Sequence, residues 1–147
     1  MDFGSGWGTM AGLMAKKLSA QGNITCLDIS EAWINASKKY LKNFSNINYI
    51  AGDITKLTIP DTSYNAIVIH FVLHDIDSSI RQSIIEKHVK ILKKNGRIYI
   101  REPLLVNRGI SIGYIRNLML KNGLSENKLE LTNSWLFGEM VDGVYVK

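Results

Sequence analysis

The chain has 147 residues, 46% hydrophobic and 21% charged, which fits one ordinary globular domain and excludes a disordered or membrane-spanning chain. No apolar run reaches the roughly 18 residues of a membrane helix and no secretory leader pattern opens the chain, so no membrane span and a cytoplasmic location are expected. The formal charge of +5 comes from lysines spread along amphipathic segments without interleaved aromatics, so nucleic acid is not an expected partner.

The first eight residues, Met1-Asp2-Phe3-Gly4-Ser5-Gly6-Trp7-Gly8, read as the tail of a strand followed by a glycine-rich turn. Glycines at alternate positions let the backbone approach a ligand, and the helix that follows offers unpaired N–H groups to an anionic group. That helix is expected over Thr9 to Gln21, with Met10, Leu13, Met14 and Leu18 at helical spacing and Gly22 as its stop. Asn23 to Ile29 reads as a strand ending in Asp28, and its lone Cys26 as a buried small hydrophobe. Ser30 can cap a helix over Glu31 to Phe44, and Ile47 to Ala51 is a short strand closed by Gly52-Asp53. Asn65 to His70 is a nearly unbroken apolar strand of the kind found in the middle of a parallel sheet.

Asp77 or Ser78 caps a long helix reaching Lys94, with Ile80, Ile84, Val89, Ile91 and Leu92 facing inward and His88 in solvent among the lysines. Asn95-Gly96 should end it and Arg97 to Arg101 form the next strand. A helix near Ile112 to Asn122 stops at Gly123, and Lys128 to Leu136 and Val141 to Lys147 form two strands. With no helix between them, they are expected to pair antiparallel. The alternation of strand and helix gives an α/β class: a doubly wound, mainly parallel Rossmann-like sheet, its first strand largely missing, closed by a C-terminal antiparallel hairpin.

Functional positions gather at the C-terminal ends of successive strands, where an open α/β sheet binds its ligand. Asp28, about 20 residues past the glycine turn, can accept the hydroxyls of a ribose, and Ile29 can lie against a purine face. Asp53 can accept from an exocyclic amine, with the Ile54 N–H near a ring nitrogen. Each position also has a purely structural reading, as a helix start or a turn. Their order and spacing together resemble the class I S-adenosylmethionine-dependent methyltransferases. The resemblance rests on Asp2 to Gly8, Leu27-Asp28-Ile29-Ser30, Gly52-Asp53-Ile54, Asn65 to His70, Leu92 to Ile98 and the terminal strand pair.

The resemblance implies S-adenosyl-L-methionine as cofactor, with Asp2, Gly4, Ser5, Gly6 and the His70 backbone near its methionine end. It also implies a small-molecule acceptor and a strand order 3-2-1-4-5-7-6. Nicotinamide-dependent dehydrogenases share the glycine turn and the first acid but do not ask for the Asp53 position. The Leu73-His74-Asp75 segment looks like that of small-molecule O-methyltransferases, in which the His removes a hydroxyl proton and an acid after the fifth strand, here Glu102, orients it. A His here can equally pack or cap the following helix. The Asn/Asp-Pro-Pro-aromatic motif of nucleic-acid and glutamine methylases does not occur at His70-Phe71-Val72-Leu73. No His, Asp and Glu grouping has metal-ligand spacing, so no metal is expected. Family members begin with covering helices and a longer first strand, so an N-terminally shortened methyltransferase is expected. Its alternative is a non-catalytic relative acting as a binding or partner module. Acceptor and oligomeric state are not legible.

Overall fold

The computed structural model describes residues 1–18, 22–104 and 110–147. Among them are seven strands and four α-helices in an α/β arrangement, mostly parallel with an antiparallel C-terminal hairpin. The chain falls into two compact units, Met1–Leu57 and Thr58–Lys147.

In the first unit β1 (Asp2–Phe3), β2 (Ile24–Asp28) and β3 (Ile47–Ala51) lie in the order β3-β2-β1, all parallel. Asp2 pairs with Cys26 and Phe3 with Leu27, and Asp28 stands opposite Ala51. Every residue of β2 is buried, as expected of a strand flanked on both edges. Helix α1 (Thr9–Lys17) turns its small residues Ala11, Gly12 and Ala15 inward, while Leu13 is exposed. Of the larger apolar residues, Met14 packs against the core at the side of this small-residue face, while Leu13 and Leu18 stay exposed. Space is the reason, since a Cβ on Gly12 would stand 3.1 Å from Leu41. The tail expected at Ser19 to Gln21 lies outside the described residues.

Helix α2 (Glu31–Tyr40) is capped by the Ser30 hydroxyl and ends before the expected Phe44, where the Leu41 N–H returns to the Ser37 carbonyl. Ala11, Ala15, Ile24, Cys26, Ile34, Leu41 and Ile47 form the core of this unit. Burial pushes the Cys26 thiol up to about 12, in keeping with its reading as a hydrophobe.

In the second unit β4 (Tyr64–His70), β5 (Leu92–Pro103), β6 (Ser125–Ser134) and β7 (Gly138–Val146) lie in the order β4-β5-β7-β6. β4 and β5 are parallel; β5–β7 and β6–β7 are antiparallel. Helix α3 (Ser78–Ile91) stops three residues short of the expected Lys94. The Thr62 and Ser63 N–H groups take the carbonyls of Lys90 and Ile91, and Lys147 Nζ donates to those of Val89 and Leu92, so the open carbonyls are satisfied without another turn. Leu92 is extended and pairs with Tyr64, and the register then jumps from Tyr64/Leu92 to Ala66/Arg97 around Asn95 at φ 61°.

The inward stripe of α3 is Arg81, Ile84, Ile85, His88 and Ile91, one face at helical spacing, and Ile80 is exposed. His88 is thus not solvated. It is fully buried with Nδ1 2.8 Å from the Ile84 carbonyl, and burial lowers its pKa to about 4. Arg81 is buried too, donating from Nε to the Ile76 carbonyl at 2.9 Å with its guanidinium 5.4 Å from the Tyr114 ring of α4 (Ile112–Lys121). The hairpin expected to carry Leu136 within a strand turns earlier: Trp135, Leu136 and Phe137 are the turn itself, and Gly138 at φ 69° starts β7.

Candidate functional site

In the first unit the turn after β1 folds back over the end of β2. The N–H groups of Gly4 and Ser5 both donate to the Leu27 carbonyl, at 2.8 and 3.1 Å, and Gly8 donates to Ser5. Gly4, Gly6 and Gly8 all have positive φ, which an L side chain adopts only at a cost. Asp28 joins the turn to the next helix: Oδ2 accepts from Gly6 N–H and Oδ1 from Ser30 N–H, both at 2.9 Å. Each carboxylate oxygen keeps a lone pair for a ligand hydroxyl. Ile29, 75% exposed, stands beside it, as an apolar face for a base would.

Asp2 sits behind the turn. It is buried, and its Oδ2 accepts from Ala11 N–H at 3.0 Å, satisfying an orphan donor of α1 that the N-cap Gly8 has no side chain to reach. Burial raises its pKa to about 6, partly opposed by that hydrogen bond. The buried Ser5 hydroxyl makes no hydrogen bond of normal geometry among the described residues and leans only on the Cys26 thiol, a weak partner. Asp53 at the exit of β3 accepts from Thr55 N–H and Oγ1 at 2.9 and 2.7 Å, which holds its carboxyl below the usual range, and the Ile54 side chain is buried.

In the second unit, strand alternation carries Ile98, Ile100 and Glu102 inward from β5. Phe71, just past β4, takes φ 58°, a left-handed conformation rare for a bulky residue. The kink turns three successive amides onto the buried Glu102: Val72 and Leu73 N–H each donate to Oε1 at 2.7 Å, and His74 N–H to Oε2 at 3.4 Å. Such a run of N–H groups is a backbone anion nest. His74 Nδ1 lies 2.8 Å from Glu102 Oε2, and the Asp75 carboxylate is 3.4 Å from Nε2. The His74 side chain is 15% exposed and Glu102 wholly buried, so the carboxylate fixes the ring while one edge still meets solvent.

His70 stacks on Phe71 at 4.4 Å, and burial with the nearby Arg101 charge lowers its pKa. Arg101 pairs with Asp142 across β5 and β7, through Nε to Oδ1 and a second bond to Oδ2 of 2.7 Å. Two aromatic groupings are not evident from the sequence pattern. Trp7 and Trp33 meet at 5.4 Å in the first unit, and Phe137 from the hairpin turn meets Phe71 edge-on at 5.0 Å. A tryptophan inside the glycine turn was the available signal for the first. The second joins residues 66 positions apart and left none.

Residues 1–96 match a protein family described as the methyltransferase domain. The ubiquinone/menaquinone biosynthesis C-methyltransferase UbiE of Serratia proteamaculans is 24% identical over 111 residues, 71% of this chain and 43% of that protein. UbiE of Hydrogenovibrio crunogenus is 24% identical over 105 residues, 69% of this chain and 41% of its own. The chain thus spans less than half the length of these relatives. Among solved structures, a SAM-dependent methyltransferase from Aquifex aeolicus superposes with a TM-score of 0.86 at 14% identity, over 99% of this chain and 79% of the other. The [4+2]-cyclase SpnF does so at 0.87 and 14%, over 99% and 73%. At these identities the superpositions establish the fold, and one fold can carry different chemistries. The family match spans most of the chain, from the glycine turn through the Glu102-facing loop to the start of β5, and the chain belongs to the methyltransferase domain family, whose cofactor is S-adenosyl-L-methionine.

Proposed function

We propose that the chain binds S-adenosyl-L-methionine through the turn of its first unit and transfers the methyl group to a small-molecule acceptor whose proton His74 removes. The observation that carries this reading is the Gly6 N–H on the Asp28 carboxylate, which ties the glycine turn to the acid that receives ribose hydroxyls. The residues present fit such a ligand. A Cβ at Gly6 would meet no atom within 4 Å, so a ligand can approach the backbone there, and the buried Ser5 hydroxyl lacks a strong partner. Asp2, Gly4, Ser5, Gly6, Asp28, Ile29, Asp53, Ile54 and the His70 backbone are the proposed cofactor contacts, with Asp2 acting from behind by fixing α1.

The cofactor supplies an electrophilic methyl group on a sulfonium centre. Asp28 and the turn fix its position, and most of the rate gain is expected from such orientation. With Glu102 accepting from Nδ1–H, His74 presents Nε2 as the basic nitrogen for a proton on the acceptor. Asp75 at 3.4 Å from Nε2 can then receive that proton and pass it to solvent. The whole chain works as a single methyltransferase domain in this reading, and the complete dyad favours an enzyme over a non-catalytic binding module. No helix among the described residues is long and apolar enough to cross a membrane, and a cytoplasmic location belongs to the proposal.

Thermal unfolding with S-adenosylhomocysteine tests it. Ligand at about 100 times its dissociation constant adds roughly 2.7 kcal/mol, a rise of several degrees at this size. The expected result is a rise with S-adenosylhomocysteine, none with NADH, and none with either in Asp28→Ala. An equal rise with NADH, or none with S-adenosylhomocysteine, overturns the reading.

A further inference from the structure

The outer edge of the second unit carries a pattern that neither the cofactor turn nor the His74–Glu102 pair uses. β6 is last in its strand order: β7 pairs along one side, and among the described residues no strand pairs along the other. An edge of ten residues is long for one left open, and β6 has no proline to blunt it. Its irregularity lies at its start, between Glu126 and Lys128, where Arg116 Nε of α4 donates to Glu126 Oε2 at 2.8 Å. From there Lys128-Leu129-Glu130-Leu131-Thr132 pairs with β7 without interruption. Lys128 and Glu130 share one face of the strand, 2.7 Å apart, with side chains 55% and 45% exposed. Leu129 and Leu131 share the other face, Leu129 half-buried and Leu131 exposed. A lysine alone on an edge repels other strands, whereas a base and an acid side by side select a strand of matching charge.

We propose that the open edge of β6 binds a second copy of this chain, the two β6 strands pairing antiparallel about a two-fold axis at Leu129. Such an axis stands perpendicular to the sheet and leaves each side chain on its own face, so only registers centred on a residue bring like faces together. Centred on Leu129, the register sets Lys128 opposite Glu130 of the second copy and Glu130 opposite its Lys128. The neighbouring registers fail. Centred on Lys128 or Glu130, each sets a charge against its own copy, and centred on Leu131 the register leaves Lys128 facing Ser134 and Glu130 facing Thr132. Centred on Asn127 it crosses the irregularity: Glu126 lies opposite Tyr145 and Lys128 opposite Val144, adjacent on β7, so these two charges point to opposite faces. In the Leu129 register the contact within each strand and the pairs across the axis close a ring of alternating charges. On the other face Leu131 stands diagonal to the second copy's Leu129, which makes a row of leucines across the axis. The outward backbone groups of both strands pair at the same time. A contact confined to one strand edge is small, and its dissociation constant is expected on the order of 10 μM. This surface is independent of the methyl-transfer reading, since none of its residues belongs to the cofactor turn or to the His74–Glu102 pair.

Sedimentation equilibrium of the full chain over about a hundredfold range of concentration tests the proposal. Wild type should pass from monomer to dimer across that range. Lys128→Glu and Glu130→Lys should each weaken the dimer about tenfold, because like charges then face each other across the axis. An equimolar mixture of the two variants should associate as tightly as wild type, since each supplies the sign the other lacks. That recovery separates pairing across the axis from the contact within one strand, which stays broken in both variants. Leu131→Asp should weaken the dimer as well, with no recovery in any mixture. Lys16→Glu, an equal change of charge on an exposed residue of α1, should leave association unchanged. Circular dichroism matching wild type shows that each variant is folded. A wild-type monomer throughout the range, a mixture no tighter than either variant alone, or a Lys16→Glu loss equal to that of Lys128→Glu overturns the proposal.

Discussion

Asp2 combines two demands that conflict. Its carboxylate satisfies the Ala11 N–H, yet burial raises its pKa from 3.8 to about 6, so its ionised form is disfavoured in the fold. A carboxylate raised in this way favours folding most below pH 3.8, and that contribution is lost as pH rises through about 6. Asn at this position keeps an oxygen for Ala11 and carries no charge. Asp2→Asn should therefore gain on the order of 2 to 3 kcal/mol over wild type at pH 7.5, with the gain vanishing near pH 3.5. Urea unfolding at the two pH values checks this, and equal stability at pH 7.5 refutes it. Asp28 is legible in the sequence from its strand end and its distance past the glycine turn, whereas Glu102 is singled out only by the resemblance to small-molecule O-methyltransferases. The work of Asp2 behind the turn is not legible, because the sequence shows its acidity but not the helix amide it meets.

Helices α1 and α2 approach closely because glycine and alanine line the contact. Gly8 is the tightest point: φ is 83°, and a Cβ there would stand 2.6 Å from Leu41 Cδ1 and 3.1 Å from Ser37 Cβ. Gly6, two residues earlier, has φ 50° and open space around it. The two glycines thus serve different ends. Gly8→Ala should cost roughly 2 to 4 kcal/mol of stability through strain and overpacking. Gly6→Ala should cost about 1 kcal/mol, stay folded, and lose the thermal rise with S-adenosylhomocysteine. Melting both variants with and without ligand separates these outcomes, and a Gly6→Ala that binds as wild type removes the turn from the cofactor site. Element type follows from periodicity throughout, but inward faces do not always. On α1 small residues take the closest contact because the neighbour leaves little room, so Leu13 points out and Met14 packs only at the side. On α3 the stripe includes Arg81 and His88, whose polar atoms find partners that a sequence pattern cannot show.

Across the molecule, strand and helix order is legible because each strand is a compact apolar run and each helix carries a cap or a glycine stop. The boundaries that shift do so where long-range hydrogen bonds replace local ones. α3 ends early because residues 62, 63 and 147 occupy its last carbonyls. The hairpin turns early because Gly138 takes a left-handed conformation after Phe137. The left-handed kink at Phe71 is hidden for the same reason: only Glu102, 31 residues later in the sequence, makes it worthwhile by accepting the three amides it releases.

Cys26 turns the burial of β2 into a clock. With no exposure and a thiol pushed up to about 12, it can react with a disulfide reagent only while its surroundings open. The rate of modification thus counts openings of the strand that holds up the glycine turn. S-adenosylhomocysteine at about 100 times its dissociation constant should slow the reaction about a hundredfold if the site and the strand open together. An unchanged rate would mean that β2 breathes with the ligand in place. The same thiol would then time the loosening of one strand, free of the cofactor's hold.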